Sequence, residues 1–258
     1  MNMLGKYVIC TTQRTGSSWL VDMLDSHSNI GSYAELFRLS PEDSYPTAGR
    51  VDMKLFEKWQ HDNLHSNWLS FLNRKKEYLQ YLSEIELVNI QDKPVNTFGC
   101  KIMYSQFREH KGLFDFSSRY FDKVIHLKRR DHLRAVVSKT FMENAKITHS
   151  ATEVELPRVE LNIAEIIWYL KKHKSEESSF EKKLAKLDQA KVITCYYEDL
   201  VDDNANEMKR IHQHLGVDYR EPQSTFKKIN NKNLAELIIN YDELLSALKA
   251  NGFNSVFE

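Results

Sequence analysis

Residues 6–20 constrain this chain more than any other stretch. Lys6-Tyr7-Val8-Ile9-Cys10 is rich in β-formers, Thr11-Thr12-Gln13-Arg14-Thr15-Gly16-Ser17-Ser18-Trp19-Leu20 follows it, and an apolar pattern with helical spacing comes next. A strand feeding a helix through a hydroxyl-rich turn aims the helix's free N–H groups and positive dipole end at whatever sits in the turn, and that suits an anion. Gly16 lets backbone and ligand approach closely. The turn lacks the first glycine and the lysine of the Gly-x-x-x-x-Gly-Lys-[Ser/Thr] pattern, and Arg14 is its one cation. Such a turn fits a phosphosulfate or monophosphate better than a magnesium-bound triphosphate.

A second segment repeats the design. Lys123-Val124-Ile125-His126-Leu127-Lys128-Arg129-Arg130 reads as a strand with cations at its carboxyl end, and Asp131 to Ser138 begins a helix. Ligands of open parallel sheets bind outside the carboxyl ends of strands, so two such ends can grip two phosphates of one nucleotide.

With these residues the chain resembles the sulfotransferases that use 3′-phosphoadenosine 5′-phosphosulfate, over most of its length. The resemblance implies a P-loop-like parallel α/β sheet flanked by helices. It also implies a 5′-phosphosulfate loop formed by Gln13, Arg14, Thr15, Gly16, Ser17, Ser18 and Trp19, with Arg14 where many members carry lysine. Arg130 and Ser138 map onto the family's 3′-phosphate site. Arg129 competes, because strand neighbours point to opposite faces, and spacing to Ser138 selects Arg130. Val192-Ile193-Thr194-Cys195-Tyr196-Tyr197-Glu198-Asp199-Leu200 is similar to the family's Tyr-Glu-Asp-Leu strand end, which puts Tyr197 near the adenine. Within the family, the spacing to Ala34-Glu35-Leu36-Phe37 looks most like bacterial carbohydrate sulfotransferases of the trehalose and nodulation-factor type, and Glu35 falls where the trehalose enzyme has its base.

The implied reaction moves a sulfuryl group from the donor to an acceptor hydroxyl, expected on a carbohydrate or glycolipid, with no metal required. An alcohol needs a base to take its proton; Glu35 is the candidate, and Arg14 would stabilise charge on the leaving phosphate. Lys101, a cation within the apolar run Phe98-Gly99-Cys100-Lys101-Ile102-Met103, is a substrate-contact candidate or an exposed strand end. His27, His126 and His132 are alternative bases, each more readily explained as scaffold. Lys227, Lys228 and Lys232 form a basic stretch that reads first as a solvated face. Two rival readings share the fold: a P-loop nucleotide or nucleoside kinase, which the missing Walker lysine argues against, and an inactive nucleotide-binding module.

Lys+Arg and Asp+Glu balance at 36 each, so no global basic field draws in nucleic acid. Cys10, Cys100 and Cys195 fall in predicted strands and read as small buried hydrophobes rather than a disulfide framework. The start of the chain leaves no room for a signal core, and no run approaches the roughly 18 apolar residues of a membrane span; the expectation is a cytoplasmic protein. A length of 258 residues suits a single α/β domain. Strands are expected at 6–12, 97–103, 122–128 and 191–196, and helices at 17–26, 131–146, 162–187 and 199–215. A helical insertion is expected over Val51–Leu87, with Trp59 and Trp68 as core contacts rather than a sugar platform. Ile147–Glu160 reads as a loop that could cover an acceptor. The last segment's apolar residues suit either the core or a second copy in a homodimer.

Overall fold

A computed structural model describes residues 4–39, 48–50, 53–63, 74–91, 94–145, 158–226 and 233–253, the side chains of 142–145 excepted. In chain order the elements are β1 (Gly5–Thr11), α1 (Ser17–Asp25), β2 (Ile30–Tyr33), α2 (Phe56–Asn63), α3 (Arg74–Gln91), β3 (Thr97–Met103), α4 (Tyr104–Glu109), α5 (Leu113–Tyr120) and β4 (Lys123–Lys128). They continue with α6 (His132–Ala145), α7 (Ile163–Leu184), β5 (Val192–Tyr196), α8 (Tyr197–Asp202), α9 (Asn204–Leu215), α10 (Leu234–Leu237) and α11 (Tyr241–Ala250).

The five strands form one parallel sheet in the order β2-β3-β1-β4-β5. Helices bury both faces of such a sheet, which is why β1, β3 and β4 read as near-continuous apolar runs. Alternation sorts their side chains. Val8, Cys10, Cys100 and Ile102 pack on one face with Phe37, Phe56, Trp59, Tyr78 and Tyr81; Tyr7 and Ile9 pack on the other with Leu20, Leu24, Ile125 and Ile211. A third apolar cluster joins α6, α7, α10 and α11 through Val137, Leu170, Leu234 and Leu244. All three cysteines are buried and free.

The four expected strands are present within a residue or so of their expected limits. β2 was not foreseen. It pairs with β3 from Ile30 opposite Thr97 to Tyr33 opposite Cys100, and it delivers Glu35 to the carboxyl edge of the sheet. The helix expected at 199–215 is two helices, broken at Asp203, whose carboxylate accepts from the Asn206 N–H and caps α9. Helices α2 and α3 lie in and just beyond the expected insertion; residues 64–73, Trp68 among them, lie outside the described residues. Trp59 is a core residue: it is 3% exposed, stacks on Phe56, and its indole N–H donates to Glu84 at 2.6 Å. Residues 147–157 of the expected loop and Lys227, Lys228 and Lys232 also lie outside the described residues. No described helix is long and apolar enough to cross a membrane.

Candidate active site

The turn after β1 sits where the chain reverses its direction of strand addition: β3 and β2 lie to one side of β1, β4 and β5 to the other. Thr11 and Thr15 pin it. Their hydroxyls lie 2.6 Å apart, and Thr11 Oγ1 donates to the Leu127 carbonyl at the end of β4 (2.8 Å). Thr15 is fully buried, so its hydroxyl serves the turn's interior. Arg14 has φ +63°, the one non-glycine residue in the left-handed region among the described residues. That conformation costs roughly 1–2 kcal/mol and marks a place where the surroundings dictate the backbone. Gly16 follows at φ +74° and leads into α1, which has no side-chain cap and no acidic residue in its first turn. A Cβ on Gly16 would run into the ring of Tyr197, so glycine is required twice over, for torsion and for space.

Tyr197 opens α8 directly after β5, with its ring edge-on to Trp19. Its neighbours divide the remaining work. Glu198 accepts hydrogen bonds from the backbone N–H groups of Arg130 and Asp131, and Asp131 accepts from the Arg134 N–H to cap α6. Asp199 takes the Arg130 guanidinium in a two-point ion pair at 2.5 and 2.9 Å, with Arg130 also lying over Tyr196.

The two neighbouring arginines are therefore arranged the opposite way from the sequence expectation. Arg130 turns outward to Asp199, and Arg129 turns inward. Arg129 is 8% exposed, stacks 4.6 Å from the Tyr197 ring, and donates from Nη1 to the Arg14 carbonyl at 2.8 Å. Its buried Nε has no hydrogen-bond partner among the described residues. Arg14 Nε donates to Ser138 Oγ at 3.2 Å, so Ser138 does join the turn. Burial first, and the neighbouring Arg129 second, pull the pKa of Arg14 down; burial does the same for Arg129 against the opposing pull of Tyr197. Two desolvated guanidinium groups, a hydroxyl and a helix N-terminus without a side-chain cap around one turn have the chemistry to cradle an anion.

On the other side of the same helix N-terminus lies a second cluster. Lys101 is 1% exposed, and its ammonium bonds Glu35 Oε1 at 3.1 Å and Ser18 Oγ at 3.2 Å. Gln106 of α4 donates to Glu35 Oε2 at 3.0 Å. The Glu35 side chain keeps 23% of its surface open. A buried Lys101 needs a partner, and Glu35 is that partner. Burial outweighs the carboxylate, and the pKa of Lys101 is lowered overall. Gln106 gave no signal in the sequence.

The histidines are engaged. His27 binds the Asp218 carbonyl through Nε2 and accepts from the Asn29 N–H through Nδ1. His126 is hydrogen-bonded to Tyr104 at 2.6 Å, and burial, helped by Lys128, pushes its pKa down to about 4. His132 contacts His173 at 3.1 Å, and burial lowers its pKa too.

Residues 7–221 match the family model described as Sulfotransferase family. The chain belongs to that family. Nodulation protein H of Rhizobium tropici is 25% identical over 264 residues, covering 98% of this chain and 92% of that protein. A sulfotransferase from Alicyclobacillus acidocaldarius superposes with a TM-score of 0.51 at 13% identity, covering 96% of this chain and 95% of its own. The sulfotransferase domain of the Synechococcus PCC 7002 olefin synthase gives a TM-score of 0.51 at 16% identity, over 94% and 84% of the two chains. At those identities the two structures speak for the fold, and it is the sulfotransferase α/β fold.

Proposed function

We propose that this sulfotransferase uses 3′-phosphoadenosine 5′-phosphosulfate as donor and sulfates a hydroxyl of a carbohydrate or glycolipid acceptor. The observation that carries the reading is the shared first turn of α1. Gly16 lies under Tyr197, Arg14 reaches Ser138 and Arg129, and two residues on Ser18 reaches Lys101 and through it Glu35. An anion cradle and a carboxylate are therefore joined by one turn of helix.

In this reading the N–H groups of residues 16–19 and Arg14 hold the 5′-phosphosulfate, and Arg129 with Ser138 holds the 3′-phosphate. Arg129's Nε, without a hydrogen bond among the described residues and 3.9 Å from Glu198 Oε1, and the two clustered guanidinium groups fit a second phosphate. Arg130, through Asp199, positions the turn that presents Arg129. Tyr197 offers the ring face or edge for the adenine. Glu35 takes the acceptor's proton as the acceptor oxygen bonds to sulfur and the sulfur–oxygen bond to the 5′-phosphate breaks; 3′,5′-bisphosphoadenosine leaves. Arg14 and the helix N-terminus stabilise charge on that leaving oxygen. Lys101 holds Glu35 and stands within one hydroxyl of the cradle, a place from which it can also bind the sulfuryl oxygens. The acceptor class rests on the near full-length likeness to nodulation protein H together with the position of Glu35.

The test is a Glu35→Gln variant assayed for transfer of labelled sulfate from the donor. Bisphosphate affinity survives while transfer falls by roughly 10² to 10⁴. Unchanged turnover would remove Glu35 from the base role.

A further inference from the structure

Where the start of α6 meets α7, two imidazoles and a carboxylate converge. His132 is the first residue of α6, and His173 and Glu177 stand four residues apart on α7, so they share one face of that helix. Each of the three offers a ligand atom within 4.8 Å of the other two, and among the described residues no other group of three or more His, Cys, Asp or Glu side chains does so. His132 Nδ1 lies 3.1 Å from His173 Nδ1, and His132 Nε2 lies 4.0 Å from Glu177 Oε1. Two nitrogens held by one tetrahedral ion at about 2.0–2.1 Å are about 3.3 Å apart, so the two rings already stand near ligand spacing.

Contacts within the protein do not use up the polar atoms of this cluster. The bond between the rings engages one nitrogen of His173, and the other, Nε2, is buried without a hydrogen-bond partner among the described residues. Glu177 is 8% exposed; Lys128 takes its Oε1 at 3.1 Å, while its Oε2 is buried and equally unpartnered. Buried polar atoms are nearly always hydrogen-bonded, so two orphans in one three-residue cluster point to a group that completes it. Lys128 does not depend on Glu177, because Glu181 holds the same ammonium at 2.5 Å, and Glu198 faces the Arg129 guanidinium at 3.9 Å. Glu177 can therefore turn its charge to another cation.

We propose that His132, His173 and Glu177 form a binding site for a divalent transition metal of the zinc class, which ties the start of α6 to α7. Two imidazole nitrogens and one carboxylate oxygen suit zinc, cobalt or nickel; magnesium and calcium ask for oxygen throughout, and a set without thiolate does not favour copper(I). Bringing the carboxylate to tetrahedral spacing asks for a shift of at most about 1.5 Å, a change of Glu177 rotamer. His173 also lines the cavity that reaches Gln13 and Arg14, which gives the ion a path from solvent. Arg129 precedes His132 by three residues, so the ion braces the segment that presents Arg129 to the donor turn. It takes no part in sulfuryl transfer.

The experiment is isothermal titration of the full chain, stripped with a chelator, with zinc chloride and separately with magnesium chloride, together with the visible spectrum of the cobalt-loaded protein. One zinc is expected per chain, magnesium is expected not to bind at this site, and cobalt is expected to give the intense visible bands of four-coordination. Glu177→Gln and His132→Asn are each expected to weaken zinc at least about 10-fold, whereas His61→Asn, on an exposed residue beside Asp62, changes it by less than about twofold. Zinc at about a hundred times its dissociation constant is expected to raise the melting temperature by about 5 °C or more, and Glu177→Gln to cut that rise to about half or less. No zinc binding by the parent, equal binding of magnesium, or a zinc affinity unchanged in either variant would overturn the proposal. The parent's cobalt spectrum decides even where a variant fails to fold, since the weak bands of six-coordination would overturn it as well.

Discussion

Glu35→Gln is expected to cost stability as well as activity, and the two effects can be separated. The Lys101 ammonium is almost wholly buried, and Glu35 is its only carboxylate partner among the described residues, at 3.1 Å. With an effective dielectric constant of about 20, that pair attracts by about 5 kcal/mol. The amide introduced by the substitution would still accept a hydrogen bond, but the charge is gone. Breaking a buried pair from one side leaves an uncompensated charge, and the net loss is about 3 kcal/mol. Replacing both partners, Glu35→Gln with Lys101→Met, removes the stranded charge and recovers most of that loss. Urea unfolding at pH 7 measures all three proteins. The sign with pH follows from the lowered pKa of Lys101: the folded protein sheds this proton at lower pH than the unfolded chain. The penalty of a charged, unpartnered Lys101 is therefore full below the folded pKa and vanishes above the unfolded one. The Glu35→Gln deficit should shrink as pH rises toward the ordinary lysine value. Sulfuryl transfer must stay lost in the double variant although its stability returns. A Glu35→Gln protein within about 0.5 kcal/mol of the parent would show that Lys101 is satisfied without Glu35, and the electrostatic account of the pair would fail.

Three further outcomes are expected. Gly16→Ala combines a left-handed backbone with a clash against Tyr197, so unfolding free energy falls by about 2–4 kcal/mol and bisphosphate affinity falls with it; adding Tyr197→Ala relieves the clash but not the torsion. Arg129→Gln raises the calorimetric dissociation constant for the bisphosphate by about 10- to 100-fold, the worth of a charge-assisted hydrogen bond, whereas Arg130→Gln changes it by less than about threefold; the reverse ranking would restore Arg130 to the 3′-phosphate site. His126 and His212 are buried, and burial pushes both pKa values down to about 4 from an ordinary 6.5, so the unfolded chain binds their protons first. Stability is full above pH 6.5 and falls as pH drops toward 4, by about 1–2 kcal/mol per histidine at pH 5; His212→Phe should flatten the melting temperature between pH 7 and 5.

What the sequence revealed follows physical lines. β1, β3 and β4 were legible because a parallel strand covered on both faces must be apolar at nearly every position. β2 was hidden because Ile30-Gly31-Ser32-Tyr33 is short and carries no apolar run; its place is set from outside, by pairing with β3 and by the Asp25 carboxylate that accepts from Ser32 N–H and Arg50 Nε. The turn from Arg14 to Trp19 was readable from local chemistry. Which of two adjacent arginines turns inward was not, because the decision lies with Asp199, far along the chain, which captures Arg130 and leaves Arg129 to the turn. Pairing of Glu35 with Lys101 was equally non-local. Lys101's need for a partner was plain, but only the order of strands puts the end of β2 next to β3.

The measurement that bears most directly on the central claim is isothermal titration of the protein with 3′,5′-bisphosphoadenosine, against ATP with magnesium. Selective binding of the bisphosphate in the presence of a chelator is the predicted result, with the affinity carried by Arg14, Arg129 and Ser138. Preference for magnesium ATP would contradict the account and put a phosphoryl-transfer reading of the same turn in its place.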